Sequence, residues 1–359
     1  MLTAMEDNLL RNVQQVKVKK PYIKRAVKDY SQQIRHTVQV SFLFLNVWLG
    51  VQFYLFVRHF ERYSPSAPVS RPAGVEGWLP IAGLMNLKAF LLTGEVPPVH
   101  PAAMFLLISF LGISLLLRKA FCGWLCPVGT ISEYLWKFGR KMFRRNWTLP
   151  KWFDIGLRSL KYVLLSLFAY AVVSMDVEGI RGFLGSPYGL IAEVKMLNFF
   201  RTLGITAAIV IGTLTILSVF VQNFWCRYLC PYGALNGLFS LFSPTRIRRN
   251  ADACIDCAKC AKACPSQLPV DTLVQIRSAE CLGCLECVAI CPAENALDLS
   301  LLGAKPMNHR TPWAVAAGIS LLFFGIVGYA KVTRHWDTYI PDQVYQRLIP
   351  NADEYGHPH

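Results

Sequence analysis

Twelve cysteines fall into four groups with regular internal spacing: Cys122/Cys126, Cys226/Cys230, Cys254/Cys257/Cys260/Cys264 and Cys281/Cys284/Cys287/Cys291. Residues 254–265 read Cys-Ile-Asp-Cys-Ala-Lys-Cys-Ala-Lys-Ala-Cys-Pro, and residues 281–292 read Cys-Leu-Gly-Cys-Leu-Glu-Cys-Val-Ala-Ile-Cys-Pro. Both are the C-x2-C-x2-C-x3-C-P run of bacterial two-cluster ferredoxins. Three thiolates on one tight loop wrap three corners of a cubane; the fourth, held by the following Pro, reaches the neighbouring cluster. This chemistry assigns one [4Fe–4S] cluster to Cys254, Cys257, Cys260 and Cys291, and a second to Cys281, Cys284, Cys287 and Cys264. Structural zinc also takes thiolates, but not commonly eight of them in a doubled run. A disulfide framework suits small secreted domains rather than a large apolar chain with tight C-x-x-C runs.

Cys122/Cys126 and Cys226/Cys230 belong to two C-x-x-x-C-P elements. On a helix, residues four apart share a face. Three readings stand: a third metal centre, foremost an iron–sulfur one; a redox-active dithiol pair; or a structural role. Gly129 and Gly233, three residues past the second Cys of each motif, point to close backbone approach. Phe121, Trp124, Phe224, Trp225 and Tyr228 flank the motifs and are placed to shield a cluster, although aromatics are also common at membrane interfaces.

The elements that must carry these cysteines are apolar. Of 359 residues, 53% are hydrophobic and only 16% charged, a balance that excludes an ordinary soluble protein. Five segments are candidates to span a membrane, which takes roughly 17–25 apolar residues: Val38–Val57, Ala102–Leu117, Tyr162–Ser174 with its flanks, Thr202–Gln222 and Pro312–Ala330. Lys161 is expected to snorkel toward the surface from the start of the third. No cleavable signal peptide is read. Lys and Arg number eight before the first segment, four in 58–101, eight in 118–155, three in 175–201, nine in 223–311 and three in 331–359. High counts alternate with low, so the N-terminus, 118–155 and 223–311 are expected in the cytoplasm and the C-terminal tail on the outer side.

The cysteine motifs are part of an internal repeat. Phe121-Cys-Gly-Trp-Leu-Cys-Pro-Val-Gly129 matches Trp225-Cys-Arg-Tyr-Leu-Cys-Pro-Tyr-Gly233, and upstream Val75-Glu76-Gly77 matches Val177-Glu178-Gly179. Two parallel helical hairpins packed about an axis along the membrane normal would bring the two Cys pairs together. The expected fold is thus a mainly α membrane protein. It has about five transmembrane helices, a pseudo-two-fold repeat of helical hairpins, and a cytoplasmic two-cluster ferredoxin-like α+β insert. The expected divisions are a basic segment at 1–37, hairpins at 38–130 and 131–240, the ferredoxin-like domain at 245–300, a last helix at 312–330 and an outer tail at 331–359.

Other polar residues admit bland readings. Asn46 and Gln52, inside the first helix, suit interhelical hydrogen bonds better than a ligand. His59 and His100 are the residue type a b-type haem would need, and no C-x-x-C-H for c-type attachment is present. The apolar stretch Gly77–Leu92 reads as a re-entrant or interfacial helix that frames either a quinone pocket or plain packing. No P-loop or G-x-G-x-x-G is present, so no nucleotide is expected. Arg246-Ile-Arg-Arg249 reads as a topology determinant, which leaves no nucleic-acid partner.

Two C-x-x-x-C-P motifs after membrane helices, followed by a doubled ferredoxin run, resemble the NapH/NosR/CcoG family of membrane polyferredoxins over roughly residues 35–330. The resemblance implies electron movement between the quinone pool and partner redox proteins, or support of metallo-cofactor maintenance. It implies cluster ligation by the eight ferredoxin cysteines and redox relevance for Cys122, Cys126, Cys226 and Cys230. Unlike NosR, the chain shows no large flavin-binding domain before its first helix, and unlike CcoG no immunoglobulin-like domain after its last. It resembles a minimal NapH-like core that leans on partner subunits in the inner membrane of a prokaryote. The expected function is an electron-transfer subunit of an oxidoreductase complex. The alternatives are a metal-reducing or metallo-cofactor assembly factor and, less favoured, a redox sensor.

Overall fold

The computed structural model describes residues 23–25, 29–62, 69–301 and 311–356. Most of the basic segment 1–37, residues 302–310 before the last helix and the end of the tail lie outside the described residues.

The main helices are α1 (Ser31–Glu61), α2 (Pro80–Thr93), α3 (Pro101–Leu117), α4 (Pro127–Phe143), α5 (Lys151–Ser174), α6 (Ala192–Arg201), α7 (Ile205–Phe220), α8 (Pro231–Ser240) and α9 (Thr311–Val332). Proline opens α2, α3, α4 and α8, where its missing N–H costs nothing and its fixed φ suits the first turn. Their outer faces are apolar and exposed: Phe44, Val47, Trp48 and Val51 on α1, Val163, Leu167, Tyr170 and Val173 on α5, Ile205, Ile209 and Ile216 on α7. Such contiguous apolar surface needs a covering medium.

Among the described residues, α1, α5 and α9 are long and apolar enough to cross a membrane. The α6–α7 pair is a fourth if counted as one span, bent by 82°. All five expected segments are helical, and one is shorter than expected. The helix within Thr202–Gln222 begins only at Ile205, because Gly204 is extended (φ −65°, ψ 155°). α3 has 17 residues and stops at Arg118, whose φ of 62° cannot continue a right-handed helix.

Loops gather alternately at two ends. At one end Arg71 pairs with Glu76 and Glu193 (both 2.8 Å), His100 Nε2 donates to the Gly189 carbonyl (2.8 Å), and Thr338 donates to Glu76 (2.8 Å). Residues 71–100, 189–193 and the tail therefore meet there. At the other end, Arg25 N–H donates to the Pro292 carbonyl (2.9 Å) and Trp147 N–H to the Phe220 carbonyl (2.9 Å). This end also carries a ferredoxin lobe, closed by strands β1 (Thr245–Arg249) and β2 (Leu297–Leu301). They pair antiparallel with Ile247 opposite Leu299. The lobe is not a separate bead. One apolar core runs from Met104, Phe110 and Ile319 of the bundle through Phe121 and Trp124 to Cys264, Leu285 and Leu299.

Candidate metal centres

The two ferredoxin loops repeat one backbone path. In the first, Asp256 and Ala258 have φ of 55° and 54°; in the second, Gly283 and Leu285 have 61° and 58°. These are the second and fourth positions after Cys254 and Cys281. Alternation of left- and right-handed residues turns successive amides into a concavity that favours anions, as iron–sulfur sites require. Cys264, Cys281, Cys284 and Cys287 line a single closed cavity and are all at most 9% exposed. Cys260 and Cys291 each lie within electrostatic reach of Cys254, and Cys291 also of Cys257. Cys257 is exposed. Burial pushes the Cys264 thiol up to about 11 and raises Cys284 and Cys287 further. Such thiols become thiolates when a metal cation replaces the proton. The zinc reading needs four sulfurs at about 2.3 Å from one ion. Among the described residues, no three His, Cys, Asp or Glu side chains close on one point. Four cysteines, Cys264, Cys281, Cys284 and Cys287, around one cavity are the donor set that a cubane takes.

The C-x-x-x-C-P motifs are not α-helical turns, as four-residue spacing suggested. Each is one π-helical turn, Phe121–Leu125 and Trp225–Leu229. Cys126 N–H reaches the Phe121 carbonyl and Cys230 N–H the Trp225 carbonyl, both at 3.0 Å. The backbone is extended at the second Cys (ψ 119° and 105°), which caps the Pro-led helix that follows. Cys230 Sγ accepts the Gly233 N–H at 3.2 Å, and the N–H groups of Val128 and Gly129 favour a charged Cys126. A thiol at a helix N-terminus is a favoured thiolate position. The Cys-Pro dipeptide was the available signal for this cap. Gly129 is required because a Cβ there would collide with the Cys122 carbonyl. All four thiols line one cavity of about 1380 Å³, and Cys226 is in electrostatic reach of the other three. Burial pushes Cys126 up to about 11 and Cys122 and Cys226 higher still. A third cluster on these four is therefore a chemical fit: thiols that burial holds neutral, at positions where helix ends favour the anion.

Three comparisons bear on this arrangement. A family model described as a 4Fe-4S binding domain matches residues 99–150 and again 203–250, and a 4Fe-4S dicluster domain matches residues 246–292. The chain is 49% identical over 328 residues to the putative electron transport protein YccM of Escherichia coli K12, covering 90% of this chain and 91% of that protein. It belongs to the NapH/NosR-type membrane polyferredoxins. More distant members are the regulatory protein NosR of Stutzerimonas stutzeri, 32% identical over 45% of this chain and 22% of NosR, and the ferredoxin-type protein NapH of Escherichia coli K12, 27% identical over 51% and 59%. No solved structure matches. The polyferredoxin is accordingly a membrane iron–sulfur electron-transfer protein.

Several groups important to this polyferredoxin were not legible as site residues. The first cysteine turn sits on the second ferredoxin loop: a Cβ on Gly123 would stand 2.9 Å from the Leu282 carbonyl oxygen, and Trp124 Nε1 donates to the Gly283 carbonyl at 3.1 Å. Trp124 thus ties the lobe to the bundle, while Phe121 and Trp225 line the large cavity. Tyr228 instead donates to Asp154 (2.6 Å), with Phe224 against its ring. From α1, Arg35 and Gln39 both donate to the Gly123 carbonyl (3.3 and 3.0 Å), and Gln32 donates to the Cys284 carbonyl (3.0 Å). Lys161 does not snorkel. It is wholly buried and bonds Glu280, the residue before Cys281, at 2.5 Å.

Asn46 and Gln52 take the bland reading in part. Asn46 donates to the Phe42 carbonyl and accepts from Trp78 Nε1, and Gln52 donates to Ser70; both also line the cavity. Gly77, Trp78 and Pro80, in the stretch expected to frame a pocket, line it too. His59 packs on Phe60. His100 is fully buried between Glu76 (3.5 Å) and Glu193 (3.7 Å), with its Nε2–H on Gly189, a setting for an ion pair and not for an axial haem ligand. Against the opposing effect of burial, Glu193 and Glu76 raise His100 to about 9; likewise Arg71 and His100 hold Glu76 down at about 2.

Proposed function

We propose that this polyferredoxin relays electrons between a quinone in the large cavity and a redox partner protein at the ferredoxin lobe. The observation that carries this reading is the cavity itself. Cys122, Cys126, Cys226 and Cys230 line one part of it, and Asn46, Gln52 and Trp78 line another. Its walls include Phe42, Leu49, Phe323 and Val327, which suit a prenylated ring, and its polar groups suit a quinone carbonyl. Bound clusters supply one-electron chemistry that no side chain here provides. The chain's part is to hold and order the sites. Cys122, Cys126, Cys226 and Cys230 hold a third centre. Gly123 on Leu282 brings it beside the set of Cys281, Cys284, Cys287 and Cys264. Cys287 in turn lies within electrostatic reach of Cys260 in the outermost set. Exposed Cys257 makes that last set the side open to a partner.

The same reading takes α1, α3, α5, α7 and α9 as five crossings, with two hairpins, 38–130 and 131–240, related by a pseudo-two-fold axis. The N-terminus and ferredoxin lobe face the cytoplasm, and the tail faces the outer side. The alternate gathering of loops at two ends supports this, as does the Lys/Arg alternation.

Iron and acid-labile sulfide on anaerobically purified protein test the ligand count. Three cubanes predict roughly twelve irons per chain, falling to roughly eight in Cys122→Ser/Cys226→Ser; eight in both would remove the third centre. Anaerobic mixing with a short-chain quinol tests the donor: rapid bleaching of the cluster absorbance is expected, and its absence would remove the quinone.

A further inference from the structure

The region behind the C-x-x-x-C-P cavity holds more positive than negative charge. Lys161 of α5, with 0% side-chain exposure, bonds Glu280 Oε1 at 2.5 Å, and Lys119, 3% exposed, stands 3.9 Å from Glu280 Oε2. Tyr162 also reaches this carboxylate (3.4 Å). The neighbouring acid, Asp154, is already engaged. It pairs with Arg158, takes the Arg227 guanidinium at 2.9 and 3.0 Å, and accepts from Tyr228. Three buried cations, Lys119, Lys161 and Arg227, with the half-buried Arg158, thus face two carboxylates, Glu280 and Asp154. An excess of buried positive charge is costly unless an anion offsets it.

The cavity is where that anion can sit. Lys119, Arg227 and Glu280 line the same space as the four thiols. Lys119 lies within electrostatic reach of Cys122, Cys230 and Cys226 as well as of Glu280. Neutral dithiols would leave the excess standing. Four thiolates around an iron–sulfur core would offset it, since such a cluster is net negative and gains one more negative charge on reduction.

We propose that Lys119 and Lys161 are the counter-charges of the centre held by Cys122, Cys126, Cys226 and Cys230, and that they raise its reduction potential. This rests on the third-centre reading above. The two lysines are positioning residues: they bind no iron, and they stabilise the reduced centre through charge, one of the levers that set cluster potentials. Glu280 opposes them and lies one residue from Cys281, so this cluster of charges adjoins both the third centre and the second ferredoxin set.

The test is an electron paramagnetic resonance redox titration of the anaerobically purified full chain, with iron counted on each sample. Lys119→Met and Lys161→Met keep side-chain length and remove charge. Each is expected to shift the third centre's equilibrium at least tenfold toward the oxidised form, a fall of about 59 mV for one electron. Lys119→Arg and Lys161→Arg should restore it. Glu280→Gln should move it upward, and this opposite sign serves if a lysine variant fails to fold. An unchanged midpoint in Lys119→Met, Lys161→Met and Glu280→Gln at full iron content would overturn the counter-charge role. A wild-type count of roughly eight irons would instead overturn the third-centre reading.

Discussion

Arg35 of α1 and Glu133 of α4, 98 residues apart in sequence, meet in a two-pronged ion pair with both N–O distances at 2.6 Å. The arginine side chain has no exposed surface. Lys137 (2.6 Å) and Gln39 (3.0 Å) complete the coordination of the carboxylate, and Arg35 and Gln39 also hold the Gly123 carbonyl. One buried pair thus fixes the first cysteine turn against α1.

Removing either partner alone leaves a buried charge without its counterpart. Arg35→Ala or Glu133→Ala should each cost about 3–5 kcal/mol, while the double change Arg35→Met/Glu133→Leu should cost much less. Thermal unfolding in detergent, compared across the three variants, reads this directly. Equal loss in all three would show that the pair contributes no more than packing.

Gly129→Ala forces a methyl group into the Cys122 carbonyl. The turn must shift, at about 1–3 kcal/mol, and on the third-centre reading that centre's iron should be lost while the ferredoxin iron is retained. Gly112→Ala, where nothing lies within 4 Å, is the matched control. Iron content per chain distinguishes the two; full iron in Gly129→Ala would show that the turn tolerates the shift.

The buried Glu76–His100 pair gives stability a pH window. His100 is raised from 6.5 to about 9, so its contribution is complete below pH 6.5 and is lost as pH rises through about 9. Glu76 is lowered from 4.5 to about 2, so its contribution is complete above pH 4.5 and is lost as pH falls through about 2. Melting temperature should therefore plateau between these limits and fall at both ends. His100→Gln should flatten the alkaline fall; an unaltered alkaline limb would assign that limb to another group.

Cluster loss should be ordered. Cys257 is exposed and its partners half-buried, whereas Cys264, Cys281, Cys284 and Cys287 are buried. Oxidation in the presence of a chelator should release about four irons first, with Cys257 alkylated ahead of Cys284. Peptide mapping after timed alkylation would show the order, and simultaneous labelling of both sets would contradict it.

What the sequence made legible follows from how local the constraint is. The dicluster ferredoxin segment could be read because wrapping a cubane fixes cysteine spacing within a dozen residues. The five apolar helices were legible in place, and the end of one at Leu117 was read correctly, but the extended backbone at Gly204 delays the start of another to Ile205, which composition does not reveal. The π-helical turns were missed because four-residue spacing fits an α-helix equally well. Lys161 was misread for a different reason. A lysine near a helix end usually reaches for water, and nothing local announces Glu280, 119 residues later, as its partner. Arg35 and Glu133 were invisible on the same ground.

The crossing of the fourth cysteines has a consequence for biosynthesis. On the crossed assignment Cys264 waits for the later loop and its set is complete at Cys287, whereas the set of Cys254, Cys257 and Cys260 is complete only at Cys291. The four C-x-x-x-C-P thiols are all translated by residue 230. On that assignment the chamber of the C-x-x-x-C-P thiols has its full complement of donors first, the set containing Cys264 follows at Cys287, and the set containing Cys254 closes last, at Cys291.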